Sequence, residues 1–307
     1  LFVVAVLASA LGALYWLWKP LADVAGEFLR AQGKLAAMFD FKTGTEGLPW
    51  EQQTRRTPAG LYSMMCTPQE EDDSGRPVAE DGRPVPTEGT VPPWAGKLIA
   101  AVDTQKDYFV AVVRAWGPGM RSQRVWHGKP RSFGELDELL DRVFDGADGS
   151  GPMTIDRLYI DTGGTQVEDA EESRTAEVYR WAVNRTSKVV PLKGSNRRGS
   201  QSGKFMYRGK GSYGEGSRSR RRGRRRGQHE IEIWFVDGHH FADELSDMIT
   251  RGTEEDDQRE PVWLLNDHDD AEYNQQMSNC VRTVEREAGG LKEYWKPKTS
   301  GARIDYW

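Results

Sequence analysis

Two stretches, Ile99-Ala-Ala-Val-Asp-Thr-Gln105 and Leu158-Tyr-Ile-Asp-Thr-Gly-Gly164, decide the fold. Each is a short apolar run of strand composition that stops at an aspartate, Asp103 in the first and Asp161 in the second. A third aspartate, Asp305, stands in Arg303-Ile-Asp-Tyr-Trp307. Carboxylates at the ends of neighbouring strands converge on one point, and their repulsion calls for a divalent cation. Phosphodiester hydrolysis by two metal ions uses such a cluster. A single strand-end aspartate is more often an ordinary turn former. Two of them, followed by Thr-Gln and Thr-Gly-Gly, favour the metal reading.

The elements around these stretches follow a definite order. Residues 97–104 and 108–116 read as a hairpin, and 121–127 as a third strand after Gly117-Pro-Gly119. Ser132-Phe-Gly-Glu135 is a capping-box sequence opening a helix with Leu136, Leu139, Leu140 and Val143 on one face. A strand over 156–161, a helix over 171–184 and a strand over 188–192 complete the series. This is the order of an α/β fold of the ribonuclease-H-like kind, a mixed sheet flanked by helices. In that fold the first and fourth strands are neighbours, so Asp103 and Asp161 are expected side by side.

Farther out, residues 21–38 carry apolar positions at helical spacing and form an N-terminal helical segment. Residues 67–93 are rich in Pro, Gly, Glu and Asp and read as a loop or linker. Residues 195–228 are rich in Gly, Ser and Arg, almost without aliphatic residues, and are expected to be a disordered insert. After it come a strand at 230–236, a helix through Phe241, Leu245 and Ile249, a strand at 262–265, a helix over 271–287 and a strand at 292–296. Asp305 is expected to open a final helix. The domain plan is therefore a helical segment at 1–60, a linker at 61–93 and a compact domain at 94–307.

Composition narrows the class. The 307 residues suffice for two domains, and eleven tryptophans with ten tyrosines argue against wholesale disorder. Two distant cysteines, Cys66 and Cys280, offer neither a disulfide framework nor a zinc motif, which suits a reducing compartment. The net charge of −5 hides a strong segregation. Arg218, Arg220, Arg221, Arg222, Arg224, Arg225 and Arg226 crowd into ten residues, a run suited to the DNA backbone. Asp237, beside Gly238-His-His240, is either an auxiliary metal ligand or a helix cap. Residues 1–18 are uncharged, so a membrane-anchored nucleic-acid-binding protein stands as a rival reading. The segment after them turns amphipathic, and the chain reads as an internal fragment.

Ala101-Val-Asp-Thr-Gln105, Tyr159-Ile-Asp-Thr-Gly-Gly164 and Val190-Pro-Leu-Lys-Gly194, in that order and spacing, resemble the nuclease domain of lambda-type (GpA) phage terminase large subunits. Ala13-Leu-Tyr-Trp-Leu-Trp18, Ala31-Gln-Gly33 and Gly44-Thr-Glu-Gly-Leu-Pro-Trp50 resemble the join between that family's packaging ATPase and its nuclease, and residues 269–295 are similar to its carboxyl end. The resemblance implies an endonuclease that cuts concatemeric double-stranded DNA during genome packaging, with Mg²⁺ or Mn²⁺ held as two ions by Asp103, Asp161 and Asp305. It also implies a small terminase subunit, a portal and procapsid as partners, homo-oligomers of the full-length protein, a host-cytoplasmic location and no membrane. The sequence departs from the family in two places. Ala302-Arg303-Ile304 precedes Asp305 where the family has Asn-His or Asn-Glu, and no GxxxxGK[ST] loop is present, so ATP belongs only to a motor domain outside this chain. Another ribonuclease-H-like nuclease, of resolvase or transposase type, is the rival within the same fold.

Overall fold

A computed structural model describes residues 20–32, 35–47, 59–66, 70–71, 73, 77–78, 86–163, 173–195, 205–213, 229–251, 259–287 and 290–306. The chain divides into two compact units. One comprises residues 1–56 and 279–302, and the other residues 57–278 and 303–307.

The larger unit is built on an eight-stranded sheet. Its strands are β1 (Lys97–Thr104), β2 (Phe109–Trp116), β3 (Ser122–Gly128), β4 (Arg157–Asp161), β5 (Val189–Gly194), β6 (Met206–Tyr213), β7 (His229–Val236) and β8 (Trp263–Leu264). They lie in the order β6-β7-β5-β4-β1-β2-β3-β8. The central β3-β2-β1-β4-β5 series, antiparallel through the hairpins and parallel from β1 to β4 and β5, is the ribonuclease-H-like arrangement. Along β1 the side chains alternate, with Leu98, Ala100, Val102 and Thr104 buried and Asp103 on the opposite, half-buried face. Strand β4 alternates in the same way, with Leu158 and Ile160 buried and Asp161 on the other face. Each fully buried aliphatic side chain of this kind contributes about 1.5–3 kcal/mol.

Two helical layers cover the sheet. On the Leu98 face lie α2 (Phe133–Asp141) and α3 (Arg174–Val183), through Leu136, Leu139, Val178 and Trp181. Ser132 Oγ caps α2 by accepting from the Glu135 N–H, as the capping-box sequence predicts. A second core joins Val110 of β2 and Trp263 of β8 to α1 (Ala59–Cys66), α4 (Gly238–Thr250) and α5 (Ala271–Ser278), through Tyr62, Ile249 and Tyr273. Strand β2 is buried on both faces as a result. On the Asp103 face, Ala101 of β1 and Arg157 of β4 are exposed, so the sheet here is only partly covered.

Several elements differ from the sequence reading. The 195–228 stretch contains β6, an edge strand paired with β7 from Met206↔Val236 to Tyr213↔His229. Low aliphatic content did not prevent this, because Tyr213 joins the core. The missing side chains of Gly209 and Gly211 also leave room for Phe235 and Tyr179, whose rings approach to 2.5 and 2.6 Å of where a Cβ would stand. The expected linker at 61–93 holds most of α1 and several two-residue strands. The expected helix over 271–287 stops at Ser278 and gives way to a strand at Cys280–Glu287, where β-branched Val281, Thr283 and Val284 take over. Asp305 lies in a turn rather than at a helix start.

The smaller unit contains helices Leu21–Ala31 and Leu35–Asp40, the latter running into a π-turn at Phe41–Thr45. The sequence reading had one continuous helical stretch here. Val24, Ala31 and Phe41 form its buried cluster. An antiparallel hairpin pairs Cys280–Glu287 with Gly290–Pro297. The division into units thus cuts residues 279–302 out of the domain expected at 94–307.

Candidate active site

The parallel register of β1 on β4 runs from Ile99↔Arg157 to Val102↔Ile160, which carries Asp103 and Asp161 next to each other on the same sheet face. Each aspartate is followed by a threonine that ties strand ends together. Thr104 Oγ1 donates to the Asp161 carbonyl at 2.6 Å, and Thr162 Oγ1 donates to the Leu192 carbonyl of β5 at 2.7 Å. Thr175 of α3 donates to the Thr162 carbonyl at 2.7 Å. These bonds extend the ladder past the last strand residues, so the two carboxylates stand on a rigid floor rather than on a loop.

Asp305 reaches the same place from the carboxyl end. Gln105 Nε2 donates to Asp103 Oδ2 at 2.5 Å and to Asp305 Oδ1 at 3.3 Å, bridging the two carboxylates. Gln276 of α5 accepts from the Asp305 backbone N–H at 3.0 Å, and Arg303 pairs with the Asp305 carboxylate while also meeting the Tyr108 hydroxyl. Asp161 is held by the Gly163 N–H at 3.0 Å. A Cβ on Gly163 would stand 2.7 Å from Asp161 Oδ2, so glycine here keeps the carboxylate in place. Gly164, the other half of that pair, lies outside the described residues.

The electrostatics are those of crowded acids. Burial lifts the Asp103 carboxyl to about 6, and the charges of Asp161 and Asp305 add to the rise while Gln105 opposes it. Burial also raises Asp161, against the pull of the Gly163 and Thr162 amides and the Lys193 charge. All the converging ligand atoms are oxygens, the donor set of a hard divalent cation.

Other sequence-predicted residues fall differently. Asp237 is buried and caps α4, accepting from the His239 and His240 N–H groups at 3.1 and 3.3 Å, which favours the cap reading. Arg218 to Arg226 and residues 1–18 lie outside the described residues. No helix among the described residues is long and apolar enough to cross a membrane. Thr104, Gln105 and Thr162 count in the sequence only as flanks of the two aspartates, and neither they nor Lys193 have a role of their own there. The repeated Asp-Thr dipeptide at both strand ends was the signal for the threonines. A cavity of about 710 Å³ beside α2, lined among others by Trp126, Asp137 and Arg142, includes none of the three aspartates.

No curated protein and no solved structure matches the chain. A family model described as "Terminase large subunit gpA, endonuclease domain" matches residues 8–307, spanning both acid-bearing strand ends and the carboxyl-terminal turn, and the chain belongs to that endonuclease family.

Proposed function

We propose that this chain hydrolyses double-stranded DNA at the Asp103, Asp161 and Asp305 cluster, as the cutting step of phage genome packaging. The observation that carries this reading is the β1–β4 register, which sets two carboxylates side by side while Gln105 links the third. The crowded oxygen donors fit Mg²⁺ or Mn²⁺, with Asp103 and Asp161 as the principal ligands and Asp305 completing the set. Two such ions, when bound, supply the positive charge that activates water and stabilises the departing 3′ oxygen. The chain's own residues orient and hold. Gln105 aligns Asp103 with Asp305, the threonines fix the strand ends, and exposed Lys193 at the end of β5 is placed to take a phosphate.

The wider setting we propose rests on the family resemblance. Concatemeric phage DNA is the substrate, with a small terminase subunit and a portal-bearing procapsid as partners in the host cytoplasm. ATP hydrolysis belongs to a motor domain of the full-length protein, which works as a homo-oligomer. The arginine run at 218–226 is assigned to the DNA backbone by its charge. Deleting 217–226 is expected to flatten the plot of log affinity against log salt by about 0.9 for each phosphate no longer neutralised. An unchanged slope would remove that role.

Cleavage of duplex DNA in Mg²⁺ or Mn²⁺ tests the site. Asp103→Asn or Asp161→Asn is expected to lower the rate by roughly a thousandfold or more, with circular dichroism and DNA binding retained. Metal-dependent cutting that survives both substitutions would overturn the assignment.

A further inference from the structure

On the second-core side of the sheet, at the end of β3, His127 is 5% exposed. Its Nε2 lies 2.9 Å from Asp270 Oδ2. Asp270 is itself fixed, because its other oxygen accepts from the Glu272 and Tyr273 N–H groups at the start of α5, at 2.7 and 3.2 Å. With the Asp270 carboxylate as acceptor, the ring proton sits on Nε2 and Nδ1 presents a lone pair. Nδ1 is buried and makes no hydrogen bond. It faces Glu88 Oε1 at 4.0 Å, and Glu88 Oε2 lies 2.8 Å from His268 Nδ1. Among the described residues, Glu88, His127 and His268 are the group whose ligand atoms all come within 4.8 Å of one another.

In the neutral ring, an acceptor nitrogen and a carboxylate oxygen 4.0 Å apart repel each other, and a cation shared between them would turn that repulsion into attraction. We propose that Glu88, His127 and His268 bind a borderline divalent metal ion of the Zn²⁺ class, separate from the oxygen-lined acid cluster. Two imidazoles and one carboxylate are a zinc-type donor set, whereas Mg²⁺ prefers oxygens alone. Asp270 behind His127 supplies the outer carboxylate that fixes ring orientation and tautomer in such sites. Tetrahedral coordination at bonds of about 2.0–2.1 Å needs ligand atoms roughly 3.3 Å apart. The side chains of Glu88 and His268, 32% and 43% exposed, are free to close on the buried ring. Burial and the nearby Arg124 guanidinium lower the His127 pKa, which keeps its nitrogen available as a ligand. Arg124 also opposes any cation there, and the Glu88 and Asp270 charges offset it.

The metal would clamp the 86–89 segment to the 266–270 loop. Two bonds already join these, from the Glu88 N–H to Asp267 Oδ1 and from the Asp267 N–H to the Pro86 carbonyl, at 2.8 and 2.9 Å. Tyr306 packs edge-on against His127 at 5.6 Å, so the clamp sits one ring away from Asp305.

The test uses the full chain carrying Asp103→Asn and Asp161→Asn, so that the acid cluster does not contribute. Zn²⁺ titration, and the visible spectrum with Co²⁺ as the probe, are expected to show one tight equivalent in an N/O tetrahedral field. Glu88→Gln and His268→Ala, both at solvent-accessible positions, are each expected to weaken binding at least tenfold, and Asp270→Asn by about 10- to 100-fold. Circular dichroism checks folding. If His268→Ala does not fold, Glu88→Gln decides. The absence of a tight equivalent overturns the proposal. So does binding that Glu88→Gln leaves unchanged, because it would come from another group such as His239 and His240.

Discussion

The same sheet treats buried polar groups in two opposite ways. At the β2–β3–β8 side, Arg114 donates to Ser122 Oγ at 2.7 Å and to the Leu264 carbonyl at 2.9 Å, with Trp263 beneath its guanidinium. Arg124, fully buried, donates to Asn266 Oδ1 at 2.6 Å and to the His268 carbonyl at 2.5 Å, over the Tyr273 ring. Nε and Nη2 of both guanidinium groups are used, Nη1 of each makes no hydrogen bond, and the network links β3 to the chain before α5. At the β1–β4 side, three carboxylates gather with one bridging amide and the charges of Lys193 and Arg303 at the margin. Guanidinium groups bonded to carbonyls and side-chain oxygens tie a strand to the loop beside it, while carboxylates gathered in mutual repulsion mark a place suited to a cation.

The two sides of the sheet should respond oppositely to substitution. Arg124→Ala should be the most damaging to stability, by about 3–5 kcal/mol, because it empties a buried volume and strands Asn266 and a carbonyl. Denaturant melts would measure this. Asp103→Asn should do the converse and remove cleavage without loss of stability. Equal stability losses in the two variants would erase the distinction drawn between the two sides. Gly163→Ala is a finer probe. A Cβ 2.7 Å from Asp161 Oδ2 must displace that carboxylate. The cutting rate should fall by roughly 10- to 100-fold through misplacement alone. An unchanged rate would mean that Asp161 is free to relocate.

The smallest expected effect is on pH. Burial raises the Asp103 carboxyl to about 6, from an ordinary 3.8. Between these values the native chain keeps a proton that the unfolded chain has lost, so rising pH destabilises the native state through this group. Its contribution is complete below about pH 4 and is lost as pH rises through about 6. In the absence of divalent ions, Asp103→Asn should therefore melt a few degrees above the parent at pH 8 and level with it at pH 4. Thermal melts at the two pH values check the sign. Added Mg²⁺ should close the gap at pH 8 by stabilising the parent alone.

Much of the fold was legible because its signals are local. The strands read at 97–104 and 156–161 show as short apolar runs that stop at an aspartate, and the cap at Ser132 depends on a spacing of three residues. The edge strand at 206–213 was not legible. Its pairing depends on β7 across the arginine run, and on glycines whose value shows only against the Phe235 and Tyr179 rings. The end of α5 at Ser278 was missed for a similar reason, since apolar spacing over 271–287 continued while β-branched residues took over.

The sequence alone determined that two strands end in aspartates, that the element order suits a mixed α/β sheet, and which family the motifs resemble. Only the tertiary structure decided which groups share a site. Gln105 stands between Asp103 and Asp305 although 200 residues separate it from the latter. Likewise Glu88, His127 and His268 meet only because β3, the segment before β1 and the loop before α5 converge. Local patterns report the free energy of forming an element. Convergence of distant side chains depends on how whole elements pack, and no short window of sequence contains that information.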